Sequence, residues 1–171
     1  MADSREAVSN AGPLIHLSEV GCFELLQMFS RLYIPERIHE EVCIEGMPGD
    51  RELRAAAYVE VLKVTSEELE EVRKHLEVKL DEGEVGALAL CRRLGEVVFL
   101  TDDLAAREVG KQSGLEVHGS AGVIARAYRE GLIELQSAKQ SLERLYSVSN
   151  LFVAKAIIEE AISDLEAYSP L

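Results

Sequence analysis

Short β-branched or aliphatic runs alternate with helical patterns along the chain, and this rhythm limits the possible folds more than any other feature. Residues 5–9, around Ala7-Val8, predict a first strand. Pro13 then stands where a first-turn proline is tolerated, and Leu14, Ile15, Leu17 and Val20 follow at helical spacing. Gly21 interrupts, and Phe23, Leu25, Leu26 and Phe29 predict a second short helix. Leu32-Tyr33-Ile34 reads as a strand closed by Pro35. Ile38 and Val42, four residues apart, share one helical face within 35–44. Beyond the loop Gly46-Met47-Pro48-Gly49, a helix over 51–57 leads into an alternating strand over 59–64, and Ser66 opens a charged amphipathic helix.

The second half repeats the pattern more clearly. An Ala- and Leu-rich helix over 81–94 stops at Gly95, and 96–100 is a short apolar strand. A helix over 104–113 ends at Gly114, 115–118 is a further strand, and Ser120 opens a helix through Arg129. Two more helical patterns cover 138–146 and 151–162. Strands alternating with helices imply βαβ units, so the expected class is α/β with a mostly parallel sheet flanked by helices. Right-handed crossovers place the strand C-terminal ends on one edge. Ligands bind at that edge in such sheets, which directs attention to the residues after each strand.

The chain of 171 residues fits one domain. It is long enough to close an apolar core without disulfides or a structural metal. That core must be aliphatic, because aromatic residues make up 5% of the chain and Trp is absent. Cys22, Cys43 and Cys91 are scattered and form no Cys-x-x-Cys pair, which suits small buried hydrophobes in a reducing compartment rather than zinc ligands. The start Met1-Ala2-Asp3-Ser4-Arg5-Glu6 lacks the apolar stretch of a secretory signal. No apolar run approaches the roughly 20 residues that span a bilayer. The expectation is a soluble cytoplasmic protein.

Charge pulls in another direction. A net charge of −13 repels phosphate, and charge alone favours a protein that does not bind nucleic acid. The alternative is that acids gather at a metal ion, which inverts the local field. Acids do stand at the expected strand ends and helix starts. Asn10 follows the first strand, and Asp102 and Asp103 follow Leu100 and Thr101. Glu41 and Glu84 lie in helices, with Asp81 three residues before Glu84 and on its face. Oxygen ligands without His or Cys match a hard cation such as magnesium or manganese, which can activate water and steady charge on a phosphodiester.

Each acid has a plain structural reading beside this one. Asp81-x-x-Glu84 resembles a capping box, Asp102 or Asp103 can cap the helix starting at Leu104, Glu41 can be one surface carboxylate among many, and Asn10 can open a turn. Other chemistries find less support. Gly119-Ser120-Ala121-Gly122 lacks the Gly-Lys-Ser/Thr of a phosphate loop, and no Gly-x-Ser-x-Gly elbow occurs. His16, His39, His75 and His118 have no metal-site spacing, although His16 and His118 fall near the strand edge. A phospho-accepting receiver domain needs a Lys after a late strand, and Val117-His118-Gly119 supplies none.

Taken in order, the motifs resemble one family. Ser9-Asn10-Ala11-Gly12-Pro13-Leu14-Ile15 resembles the opening strand and helix of PIN-domain proteins. Ile34-Pro35 with Ile38-His39-Glu40-Glu41-Val42 resembles their second motif, whose final Glu is an active-site acid. Asp81-Glu82-Gly83-Glu84 before Ala87-Leu88-Ala89-Leu90 resembles the third, and Leu100-Thr101-Asp102-Asp103 with Ala106-Arg107 the fourth. The similarity runs from about Val8 to Ile133 and is greatest to a VapC-like prokaryotic branch. It implies a Rossmann-like PIN domain over residues 1–171, with a core at about 7–133 and a C-terminal helical extension at 134–171.

The resemblance also implies Mg2+ or Mn2+, hydrolysis of RNA, frequent homodimers, and a toxin held in check by a small antitoxin protein. Glu41, Glu84 and Asp103 become metal-site carboxylates, and Asp81 and Asp102 second-line candidates as ligands or orienters of water. Asn10 stands where the family usually has Asp. It offers a neutral oxygen but no charge, so a catalytically weakened interaction module is the alternative. In that alternative Leu151, Phe152, Ala154, Ile157, Ile158 and Ile162 offer an apolar face for dimerisation, unless that face covers the protein's own sheet.

Overall fold

The computed structural model describes residues 5–168. Met1 to Ser4, part of the polar start discussed above, lie outside that range. The strands are β1 (Glu6–Ser9), β2 (Arg31–Pro35), β3 (Val59–Leu62), β4 (Val98–Leu100) and β5 (Glu116–His118). They form one five-stranded sheet in the order β3-β2-β1-β4-β5. Every pairing is parallel, with Val8 opposite both Tyr33 and Phe99. The chain runs outward from β1 to β2 and β3, then returns to β4 and continues to β5 on the other side. The β1/β4 boundary is therefore the point where strand order reverses, and ligands of open α/β sheets bind there.

A strand covered on both faces needs apolar residues at successive positions. Val98, Phe99 and Leu100 meet that need, and all three are buried. Successive side chains point to opposite faces, so Ala7 and Leu100 join one core while Val8 and Phe99 join the other. The first core packs α1 (Ala11–Glu19), α7 (Ser120–Arg129), α8 (Leu135–Ser147) and α9 (Lys155–Ala167) over the sheet, through Leu14, Leu17, Ile124, Leu142 and Leu165. The second packs α5 (Glu82–Leu94) and α6 (Leu104–Gln112) through Ala87, Leu90 and Ala106. Gly110 lets α6 lie flat on the strands. A Cβ there would stand 2.9 Å from both Phe99 Cδ1 and Val117 Cγ2. The remaining helices are α2 (Glu36–Val42), α3 (Asp50–Ala55) and α4 (Ser66–Arg73).

Expectation and structure differ at a few boundaries. The short helix expected from Phe23 is a 3-10 turn over Phe23–Met28. The last helix begins at Lys155, not Leu151. Residues 151–154 are not helical and Ala154 is extended; the Leu151 N–H donates to Ser149 Oγ and the Asn150 N–H to Glu19 instead of to helical carbonyls. This divides the apolar face expected from Leu151 onward. Ile158 turns into the core and Ile162 packs against it, while Phe152 and Ile157 stay exposed. Cys22 and Cys91 are buried, Cys43 is half-buried, and all three are free thiols. No helix among the described residues is long and apolar enough to cross a membrane.

Candidate active site

Parallel pairing of β1 with β4 brings the segments after them together. The Asn10 N–H donates to the Leu100 carbonyl at 2.8 Å, and Asn10 Nδ2 donates to Thr101 Oγ1 at 3.1 Å. Thr101 Oγ1 also accepts the Asp103 N–H at 3.2 Å. Thr101 Oγ1 thus accepts from both Asn10 and Asp103, which turns the Asn10 amide oxygen away from Thr101. Asn10 precedes α1 without capping it by its side chain, and no protein donor among the described residues reaches its amide oxygen. The residue is buried, so that oxygen is a neutral acceptor held in a fixed place.

The acids arrive on helix ends. Asp81 and Glu84 form a complete capping box at the start of α5. The Glu84 N–H donates to Asp81 Oδ1 and the Asp81 N–H to Glu84 Oε2, both at 2.8 Å. Asp103 caps α6, its Oδ1 accepting the Ala106 N–H at 2.7 Å. The plain capping reading thus holds for all three, yet each keeps a second carboxylate oxygen outside its cap. Glu41, near the end of α2, has no hydrogen bond or ion pair among the described residues. Gly83 admits it to the start of α5. A Cβ on Gly83 would meet Glu41 Oε2 and Asp81 Oδ1, each at 3.4 Å, and Ile38 Cδ1 at 2.6 Å.

Glu84 and Glu41 each feel acids from other stretches of the chain. Burial raises the proton affinity of the Glu84 carboxyl, and the charges of Asp81, Asp103 and Glu41 raise it further against the cap hydrogen bond. Glu41 is raised by burial and then by Asp81, with Arg37 opposing. Like charges in a partly desolvated place favour a proton or a cation. Oxygen donors of this charge fit a hard divalent ion, which keeps several waters and takes only a few carboxylates. The fit is one of donor chemistry and charge. Among the described residues, no three His, Cys, Asp or Glu side chains are gathered into a ready-made cage.

Asp102 stands apart from this group. Its Oδ1 accepts the Ser120 N–H at 2.6 Å, and its Oδ2 accepts the Ser120 hydroxyl at 2.6 Å and meets His16 Nδ1 at 2.7 Å. The side chain is 7% exposed. It therefore ties the end of β4 to α1 and to the start of α7, where Gly119 at the cap position has no side chain to use. The serine hydroxyl points to the carboxylate and not to the histidine, so this is not a nucleophile-and-base pair. Sequence reasoning passed over Thr101, Ser120 and Gly83. A Ser directly after Gly119 at a helix start, and a Gly inside the Asp81/Glu84 box, were the available signals. A hollow of 560 Å3 opens at the other edge of the sheet, lined by Val72, His75, Cys91, Arg92, Gly95 and Leu115 among others, away from these acids.

The family model DUF3368, described as a PIN domain, matches residues 6–167, from the first residue of β1 to the last of α9. No curated protein matches the chain.

Proposed function

This chain belongs to the PIN-domain family, and from that premise we propose that it is a metal-dependent endoribonuclease hydrolysing RNA phosphodiester bonds. The observation that supports this most is that Glu84 stands within the field of Glu41, Asp81 and Asp103, with Glu41 and Asp103 coming from distant chain segments. In this reading Glu41, Glu84 and Asp103 hold Mg2+ or Mn2+, and Asn10 adds its neutral amide oxygen. Such an ion, when bound, polarises a phosphoryl oxygen and acidifies a water. The protein's own part is placement. Thr101 fixes Asn10 and the Asp103 backbone together, and the two helix caps fix Glu84 and Asp103 at backbone precision. Water attacks phosphorus, the bond to the leaving oxygen breaks, and Asp81 beside Glu41 orients the attacking water.

The finer reading follows the VapC-like resemblance. It is a cytoplasmic toxin, homodimeric, silenced by a small antitoxin protein, with a PIN core over about 7–133 and a helical extension behind it. A second reading draws on Asn10, on cap oxygens already committed, and on the open arrangement of the acids. It is a catalytically weakened PIN-like module that binds a partner and no longer cuts RNA. One experiment separates them. Thermal melts with EDTA, Mg2+ and Mn2+ report whether an ion binds the native state. Incubation with several labelled RNAs under the same conditions reports cleavage. The nuclease reading expects stabilisation and cleavage by both metals, each abolished by EDTA. Stabilisation without cleavage of any RNA favours the module.

A further inference from the structure

We propose that Arg107 binds an RNA phosphate neighbouring the one being cut, an inference that rests on the nuclease reading above. Arg107 lies one turn into α6, and its N–H donates to the Asp103 carbonyl at 2.9 Å. Residues four apart share a helix face, so Arg107 stands on the face that begins with Asp103. Its guanidinium reaches from the end of β4 toward the end of β5. A Cβ built on Gly119 would lie 2.7 Å from Asp102 Oδ1 and 3.1 Å from Arg107 Nη1, so the missing side chain at 119 gives room to both the carboxylate and the cation.

Two further observations bear on this cation. First, its guanidinium makes no hydrogen bond or ion pair among the described residues. The chain holds 31 Asp and Glu against 18 Lys and Arg, and Arg54, Arg73, Arg92, Arg93 and Arg126 are all paired with acids. Arg51 on α3 and Arg144 on α8 are likewise unpaired among the described residues, and Arg107 differs from them in lying on the helix that Asp103 caps. A guanidinium left unpaired in so acidic a protein keeps its planar fork of donors for an anion, and phosphate matches that fork. Second, the carboxylate that Arg107 lies beside is Asp102, whose oxygens already serve Ser120 and His16. A place at the end of β5, one helical turn beyond the Asp103 cap, suits the next phosphate along a strand rather than the one at the metal. Leu104, three residues earlier and 80% exposed, offers an apolar surface to the sugar or base of the same nucleotide.

The test uses the full chain with Mn2+ and a short labelled single-stranded RNA, comparing wild type with Arg107→Gln and Arg107→Lys. Arg107→Gln is expected to raise KM about tenfold with kcat within about twofold, the pattern of a phosphate contact. The slope of log(kcat/KM) against log salt should become shallower by about 0.7, one phosphate on a single strand. Arg107→Lys should recover the salt slope and only part of KM, since it restores the charge but not the fork. Melting temperature and the stabilisation by Mn2+ should be unchanged. An active wild type with unchanged KM and salt slope in Arg107→Gln overturns the assignment alone. So does a fall in melting temperature that accounts for the loss in both variants. A wild type that neither binds nor cuts RNA in Mn2+ overturns the nuclease reading and the role of Arg107 with it.

Discussion

Glu84 serves two ends that one substitution separates. As the third residue of α5 it closes the capping box with Asp81, a place where Gln serves as well as Glu. As a charge it stands among Asp81, Asp103 and Glu41 in a partly desolvated place. Its proton affinity is higher in the folded chain than in the unfolded one. The folded state therefore carries no penalty from this group below the ordinary carboxylate range, and the penalty grows as pH rises through the interval up to the raised value. Glu84→Gln removes the charge and keeps the cap. In EDTA the variant should melt above the wild type at pH 7, and the difference should vanish near pH 4, which paired thermal melts would reveal. With Mn2+ the order should reverse, because the wild type gains a ligand charge and the variant does not. Cleavage should fall at least about a hundredfold, a loss of roughly 3 kcal/mol at the transition state. A variant that melts below the wild type in EDTA at pH 7 would mean that the cap, not the charge, governs this residue.

Asp102 acts on whole elements. Through Ser120 and His16 it joins the end of β4 to the first turn of α7 and the last turn of α1. Asp102→Ala would leave a buried N–H and a hydroxyl without their acceptor, at a cost of about 3 kcal/mol. In a chain of this size that is a fall in melting temperature of about 10 °C. The increment produced by Mn2+ should survive intact, since both oxygens already serve the protein, and calorimetry with and without the ion measures both quantities. The order of strands and helices was readable because β-branched runs and Gly stops are local signals: Gly95 and Gly114 end α5 and α6 at the expected places, where the backbone takes a positive φ. The partners of Asp102 were not readable. Its position beside Asp103 in the sequence suggests a second ligand, but successive residues after a strand diverge, and the tie runs to residues 86 and 18 positions away. Likewise the gathering of Glu41 with Asp81 depends on how α2 lies against α5, which hinges on the bare Cα of Gly83. The start of α9 was misplaced for a related reason. Apolar Leu151 and Phe152 continue the helical pattern, while the Leu151 N–H is taken by the Ser149 hydroxyl and not by a helical carbonyl.

A strongly acidic protein that handles RNA must confine its anionic site and draw the strand in by a few cations or a bound metal, since its surface as a whole repels phosphate. In the proposed reading the carboxylates are carried on helix ends, Glu41 on α2, Glu84 on α5 and Asp103 on α6, while the face of the sheet under α1 and α7 carries bulk apolar packing. The C-terminal helices belong to that packing. Ala138, Leu142 and Leu145 from α8, with Ile158 and Leu165 from α9, are buried in the same core as Leu14 and Leu100. Burying a Leu or Ile side chain contributes about 2 kcal/mol. Four such residues and an alanine together approach the whole stability of an ordinary domain, about 5–15 kcal/mol. A chain ending at Ile133 keeps every acid of the candidate site and every strand, yet leaves Ile124 and its neighbours on α7 uncovered. It is therefore expected to lose its cooperative thermal transition and bind a hydrophobic dye, and to lose metal stabilisation with the fold rather than through any change at the acids. A sharp melt for that shortened chain, with Mn2+ still raising it, would instead make 134–171 an appendage laid on a core that is complete without it.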